Sequence, residues 1–238
     1  MTVAAVILAA SPVSALADAD GTPAVRRIAD TAWAGGATPV VVVAHDPDGA
    51  VAAALATAEV TLLEPAPLDG GPVGQIAHGI RGASRLVGAT TAALVWPARF
   101  VWADAETVTT LIEVHGENPD DLLRPAGAGR AGWPALLPLG ALEGLDAIAA
   151  DRMPDEILDD LVAGGGLVAG SLELRVVDTG DPGATNDITV PRSELPPFDG
   201  PPHLDDGVER EWGAPAADQS DAAPPAGPTR LANPDPAP

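Results

Sequence analysis

The sequence predicts an α/β domain of three layers, α/β/α, built on a mostly parallel sheet. Three observations point there. Short apolar runs such as Val3–Leu8 and Pro39–Ala44 carry no polar interruption, the mark of strands covered on both faces. Segments with apolar residues at helical spacing lie between those runs, so each strand returns to the next through a helix. The chain is 46% hydrophobic with only 3% aromatics and no cysteine, so Ala, Val and Leu must build the core without disulfides or thiolate metal sites.

Val3–Leu8 reads as the first buried strand. Pro23–Ala34 carries Val25, Ile28, Ala29 and Ala32 on one face, and Gly35-Gly36 ends that helix. Pro39–Ala44, with four consecutive valines, is the second strand; Ala50–Ala58 is a helix and Glu59–Leu63 the third strand. A helix that begins near Gly74 continues through Gly79–Leu86. Ala92–Trp96 is the fourth strand, followed by a helix over Ala105–Val114 with Asp104 as its N-cap. The first four strands are expected to be parallel and central. Leu122–Leu123 and Ala135–Leu137 read as short strands. Met153–Val162 is an acidic helix with Ile157, Leu158 and Leu161 facing inward, and Leu172–Val177 is a late strand. In such sheets ligands sit at the carboxyl ends of the strands.

Charge narrows the function. A formal charge of −22, with no lysine anywhere in 238 residues, opposes an extended nucleic-acid surface and an anionic membrane. No run is long and apolar enough to span a bilayer. Ala4–Ala10 followed by Ala15-Leu16-Ala17 also fits a secretory leader with a small-x-small cleavage site, which would make this a secreted acidic protein. No basic residue precedes the apolar run, however, and the first is Arg26, so a cytoplasmic first strand is the expectation. The domain is expected over 1–195. From Pro191 onward lie 12 of the 26 prolines, and from Pro196 to Pro238 eight acidic residues face only Arg210 and Arg230. With so few apolar residues, 196–238 is expected to be a disordered acidic tail. Its Val208–Trp212 stretch is the candidate for binding a protein partner.

The opening Val3–Ser11, an apolar strand running into a small-residue loop, has the form of a phosphate-holding turn. Leu8-Ala9-Ala10-Ser11 and, later, Gly21-Thr22-Pro23-Ala24-Val25 resemble the start of the MobA-like NTP transferase family, L-A-(A/G)-G-x-S-x-R-M-G-x-x-K followed by G-x-P-L-L. The Arg-Met-Gly-x-x-Lys part is absent and the loop is shorter. Ala34–Pro39, leading into Val40–Val43, resembles the family's passage from helix to second strand. Gly71-Pro72-Val73-Gly74-Gln75-Ile76-Ala77-His78-Gly79-Ile80 is similar to its base-recognition segment G-P-L-A-G-I-x-x-G-L. Ala93-Leu94-Val95 leads to the place of L-x-D-x-P, where Arg99 stands in register with the family's metal aspartate. Arg124-Pro125 and Gly129–Pro134 resemble R-P and G-R-x-G-H-P on the acceptor side. Asp181-Pro182-Gly183 and Asp187–Pro191 resemble D-P-G and D-I-D-T-P.

The resemblance implies a nucleotide-diphospho-sugar-transferase-like, Rossmann-like fold and transfer of a nucleoside monophosphate from a nucleoside triphosphate to a small phosphorylated acceptor, as in molybdenum cofactor nucleotidyltransferases. It implies nucleotide contacts at Leu8, Ala9, Ala10, Ser11, Gly71, Pro72, Val73, Gly74 and Arg99, an acceptor contact at Arg130, and Mg²⁺. Asp187 is the candidate metal ligand, with the capping of a turn as the other reading. His78 reads as a surface histidine. Such transfer depends on cations that position the phosphates and neutralise their charge. A loop without basic residues, and a guanidinium where a metal carboxylate belongs, therefore point to weakened or lost catalysis, or to a non-catalytic nucleotide- or partner-binding protein. Arg99 either touches a phosphate in place of the metal or pairs with Asp104 or Glu106 on the next helix.

Overall fold

The computed structural model describes residues 2–164, 172–198 and 200. Its elements run β1 (Thr2–Ala9), α1 (Pro12–Ala15), β2 (Asp18–Ala19), β3 (Thr22–Pro23), α2 (Ala24–Ala34), β4 (Val40–Ala44), α3 (Ala50–Ala54), β5 (Thr61–Leu63), α4 (Gly71–Leu86), β6 (Thr90–Pro97), α5 (Ala105–Glu117), β7 (Leu122–Gly127), β8 (Arg130–Ala131), β9 (Ala135–Pro138), α6 (Leu142–Leu145), α7 (Pro154–Ala163) and β10 (Leu174–Asp178). Strand order in the main sheet is β10-β7-β9-β6-β1-β4-β5, with β8 paired to the end of β7; β2 and β3 form a separate two-stranded hairpin.

The uninterrupted apolar runs explain the layers. Successive strand side chains point to opposite faces, so Val3, Ala5, Ile7 and Ala9 of β1 enter one core and Ala4, Val6 and Leu8 enter the other. The first core is closed by Val25, Ile28 and Ala32 of α2 and by Val108 and Leu111 of α5. The second is closed by Ile76, Ile80 and Ala83 of α4 and by Ile157, Leu158 and Leu161 of α7. Helix α4 comes close to the sheet because it presents Gly79 there; a Cβ at that position would overlap Val6.

β1 pairs in parallel with both β4 and β6, and β5 continues in parallel beside β4. The four strands are parallel as expected, but they are not all central. β5 is the sheet edge, three half-buried residues long, although Leu62 packs on one core and Leu63 on the other. The other side is extended by β9, which runs antiparallel between β6 and β7, with β10 parallel to β7. The helix expected over Ala50–Ala58 stops at Ala54. The first loop also contains α1 and the β2–β3 hairpin, which its small-residue composition did not announce. Apart from 196–198 and 200, the tail expected over 196–238, Trp212 included, lies outside the described residues. Among the described residues no helix is long and apolar enough to cross a membrane.

Candidate functional site

Because β1 and β6 are parallel neighbours, their carboxyl ends finish side by side, with Leu8 opposite Pro97. The loops leaving these ends must diverge, and a cleft of about 220 Å³ opens between them. Leu8, Ala10, Ser11 and Ser14 form one wall, and Pro97, Ala98 and Arg99 another. Pro72 and Gln75, from the first turn of α4, meet Met153 and Pro154, which open α7, across the remaining side. The structure thus brings Leu8, Ala10, Ser11, Pro72 and Arg99 together in one cleft, although they span most of the first hundred residues.

The other expected nucleotide contacts lie elsewhere. Ala9 and Val73 are buried in the two cores. Gly71 has φ +56, and a Cβ there would overlap the carbonyl oxygen of Ala150, so this glycine seats the segment before α7 against the start of α4. Gly74 faces Pro67. Arg130 is exposed on the β7–β8 hairpin, whose Ala128 and Gly129 both have positive φ. Ser14, Gln75, Met153 and Pro154 were not expected. Gln75 stood inside the base-recognition segment as its departure from the family's glycine, a signal that was available; Met153 reaches the cleft only through tertiary packing.

The first loop carries the short helix α1. Ser11 caps α1, accepting a long hydrogen bond from the Ser14 N–H (3.5 Å). The Ala15 and Leu16 N–H groups donate to the carbonyls of Ser11 and Pro12 at 3.0 and 2.9 Å, and Pro12 has no N–H. The Ala15 and Leu16 donors are therefore used by the short helix itself.

Arg99 and Asp187 are brought together. The Arg99 guanidinium donates to Asp187 Oδ2, while Asp187 Oδ1 accepts from the backbone N–H and hydroxyl of Thr189. The Ile188 N–H donates to the Arg99 carbonyl at 2.8 Å, locking the two segments. In this arrangement Asp187 caps its own turn, and Arg99 pairs with Asp187 rather than with Asp104 or Glu106. Burial resists ionisation of Asp187, but the hydrogen bonds from Thr189 and Arg99 outweigh it and hold the carboxyl below its usual range.

A divalent ion does not fit this arrangement. Asp187 has both oxygens engaged, its neighbour is a cation, and the described residues contain no group of three or more His, Cys, Asp or Glu able to hold a metal. The remaining sequence landmarks are structural. Arg124, nearly buried, lies over the Trp133 ring at 5.2 Å and donates to Gly132 O and Asp155. Asp181 is buried and accepts from the Asp104 and Gly183 N–H groups and the Thr107 hydroxyl, tying the turn Pro182–Thr185 to the start of α5.

A family model for the MobA-like NTP transferase domain matches residues 14–164, which leaves Leu8–Ser11 and Asp187 outside the match. No curated protein matches the chain. Among solved structures, a nucleotidyl transferase from Methanothermobacter thermautotroptrophicus superposes with a TM-score of 0.56 at 16% identity, covering 72% of this chain and 87% of that one. The Mycobacterium tuberculosis H37Rv protein Rv0371c, in complex with manganese, gives 0.53 at 20% identity, covering 75% and 89%. A 2-C-methyl-D-erythritol 4-phosphate cytidylyltransferase from Thermus thermophilus gives 0.55 at 15%, covering 80% and 94%. At these identities the likeness is one of fold, nucleotide-diphospho-sugar-transferase-like.

Proposed function

Given that the chain belongs to the MobA-like NTP transferase family, we propose that it has kept the family's nucleotide cleft and lost metal-dependent nucleotidyl transfer, binding its nucleotide without a metal. The observation that carries this reading is the Arg99–Asp187 pair at the mouth of the cleft. A family member that works through Mg²⁺ needs a carboxylate where Arg99 stands. Here the guanidinium repels a hydrated cation and engages the Asp187 carboxylate. It is also the single basic side chain lining the cleft among the described residues. Its planar fork suits a phosphate oxygen pair.

The rival reading is a working transferase that uses a small phosphorylated acceptor, with Arg130 on the acceptor side. It requires other carboxylates to take the metal. Asp18 and Asp20 lie on the first loop's hairpin, but Asp18 is already engaged with the Gly21 N–H. The secreted reading fares worse in physical terms, since cleavage after Ala17 would remove β1 from the middle of the sheet.

Titration with CTP, GTP and ATP, with EDTA or with excess Mg²⁺ or Mn²⁺, together with a pyrophosphate-release assay, decides between the readings. Binding is expected to survive EDTA and to be lost in Arg99→Ala. Arg99→Asp is expected not to restore transfer, because the loop cations are still missing. Metal-dependent pyrophosphate release by the unaltered chain would overturn the proposal.

A further inference from the structure

We infer that β10 is an association edge, through which two copies of this chain join their sheets by antiparallel strand pairing centred on Leu174. The inference concerns the outer strand of the sheet and stands apart from the cleft between β1 and β6.

The backbone shows an open edge. The Leu122 N–H donates to the Glu173 carbonyl, and the Thr179 N–H donates to the Ala126 carbonyl. Odd-numbered residues of this stretch therefore turn their backbone groups toward β7. Backbone groups alternate in direction along a strand, so Leu172, Leu174 and Val176 turn theirs outward. Among the described residues no strand lies beyond β10. Such an edge is a template for another strand unless charge, proline or a bulge blunts it. The side chains add an apolar strip. Leu172 lies in the core closed by α4 and α7, and Val177 packs on the opposite core. Leu172, Leu174 and Val176 thus share one face, and Glu173, Arg175 and Val177 the other. Leu174 is 40% exposed and Val176 51%.

Charge selects the occupant and its register. Two copies related by a two-fold axis normal to the sheet can centre their pairing on Leu174, Arg175 or Val176. Centring on Arg175 sets like charges directly opposite, which is destabilising. Centring on Val176 sets Leu174 opposite Asp178 and leaves Arg175 opposite Val177. Centring on Leu174 sets Glu173 opposite Arg175 of the second copy, and repeats that pair by symmetry. These are the non-hydrogen-bonded positions, where side chains approach most closely. On the other face Leu174 meets Leu174 and Leu172 meets Val176. Both charged groups are available. Glu173 is exposed and has no ion pair among the described residues. Arg175 gives its Nε to Asp121 at 2.7 Å, its side chain is 46% exposed, and its Nη groups make no other bond among the described residues.

The test is sedimentation velocity of the full chain over a concentration series, in about 0.1 M salt. There screening beyond about 10 Å limits repulsion between copies that each carry −22. A reversible monomer–dimer equilibrium is expected. Glu173→Arg and Arg175→Glu, each checked for an intact thermal melt, are each expected to weaken self-association about tenfold or more. An equimolar mixture of the two is expected to restore the dimer, because every cross-strand pair is then again of opposite charge. Leu174→Pro, which removes an outward N–H that β7 does not use, is expected to abolish it without touching either charge. A chain that stays monomeric at about 1 mM overturns the inference. So does a dimer that survives Leu174→Pro, or a mixture of folded charge variants that fails to associate. None of these outcomes bears on nucleotide binding.

Discussion

Asp187→Asn isolates the electrostatics of the cleft. In the native chain any anion that takes Arg99 must compete with Asp187, so the carboxylate acts as a built-in rival to the ligand. The Arg99 side chain is 55% exposed and that of Asp187 16%. Exposed ion pairs contribute about 0–1 kcal/mol after solvent screening and side-chain ordering, and the deeper Asp187 places this one near the upper end. Asparagine keeps an oxygen for the Thr189 N–H and removes the charge, so the turn should persist with a stability cost under about 1 kcal/mol. Releasing Arg99 should improve nucleotide affinity by about 1 kcal/mol, or about fivefold in Kd. The assay is calorimetry in EDTA at low and moderate salt. The gain should shrink as ionic strength rises, since screening acts within about 10 Å at 0.1 M. Adding Arg99→Ala to Asp187→Asn should erase the gain, because the two side chains act as one unit. An unchanged or weaker affinity in a folded Asp187→Asn protein would refute the idea that Arg99 meets the anion.

Other expectations concern stability. His115 is fully buried, its Nδ1 has no partner among the described residues and its Nε2 lies 3.3 Å from the Thr91 hydroxyl. Burial lowers its pKa from the ordinary 6.5, with Asp120 opposing only in part. The unfolded chain therefore takes up the proton first, and stability should fall as pH drops from about 6.5 toward the lower folded value; His115→Met should flatten that limb in thermal melts. Asp187 behaves in the opposite sense, its contribution being present above its ordinary 3.8 and lost as pH falls through the depressed folded value, a loss that Asp187→Asn should remove from the acid melt. Gly71→Ala should cost about 1–3 kcal/mol for a backbone conformation (φ 56, ψ −159) that essentially only glycine adopts and about 1–3 kcal/mol for overlap with Ala150, lowering Tm by several degrees in a scanning melt. Gly79→Val should destabilise more than Ser84→Val on the same helix, because it forces α4 off Val6.

What the sequence determined by itself is the local physics. Unbroken apolar runs at Val3–Leu8 and Val40–Val43 can satisfy their side chains only between two covering layers, so the parallel sheet and its helices were legible. So were the Asp104 cap and the inward face of Ile157, Leu158 and Leu161, which depend on periodicities of a few residues. The departures at the first loop and at Arg99 were legible too, because they are identities at fixed offsets from β1 and β6. What only the tertiary structure decided is which distant groups meet. Arg99 and Asp187 are 88 residues apart, and no periodicity links them; their pairing depends on the chain returning after β10 across the ends of β6 and β7. The same holds for Met153 at the cleft and for the insertion of β9 between β6 and β7. A charge or a donor has a fixed identity in sequence, but its availability depends on its nearest neighbour in space, and that neighbour is chosen by the packing of the whole sheet.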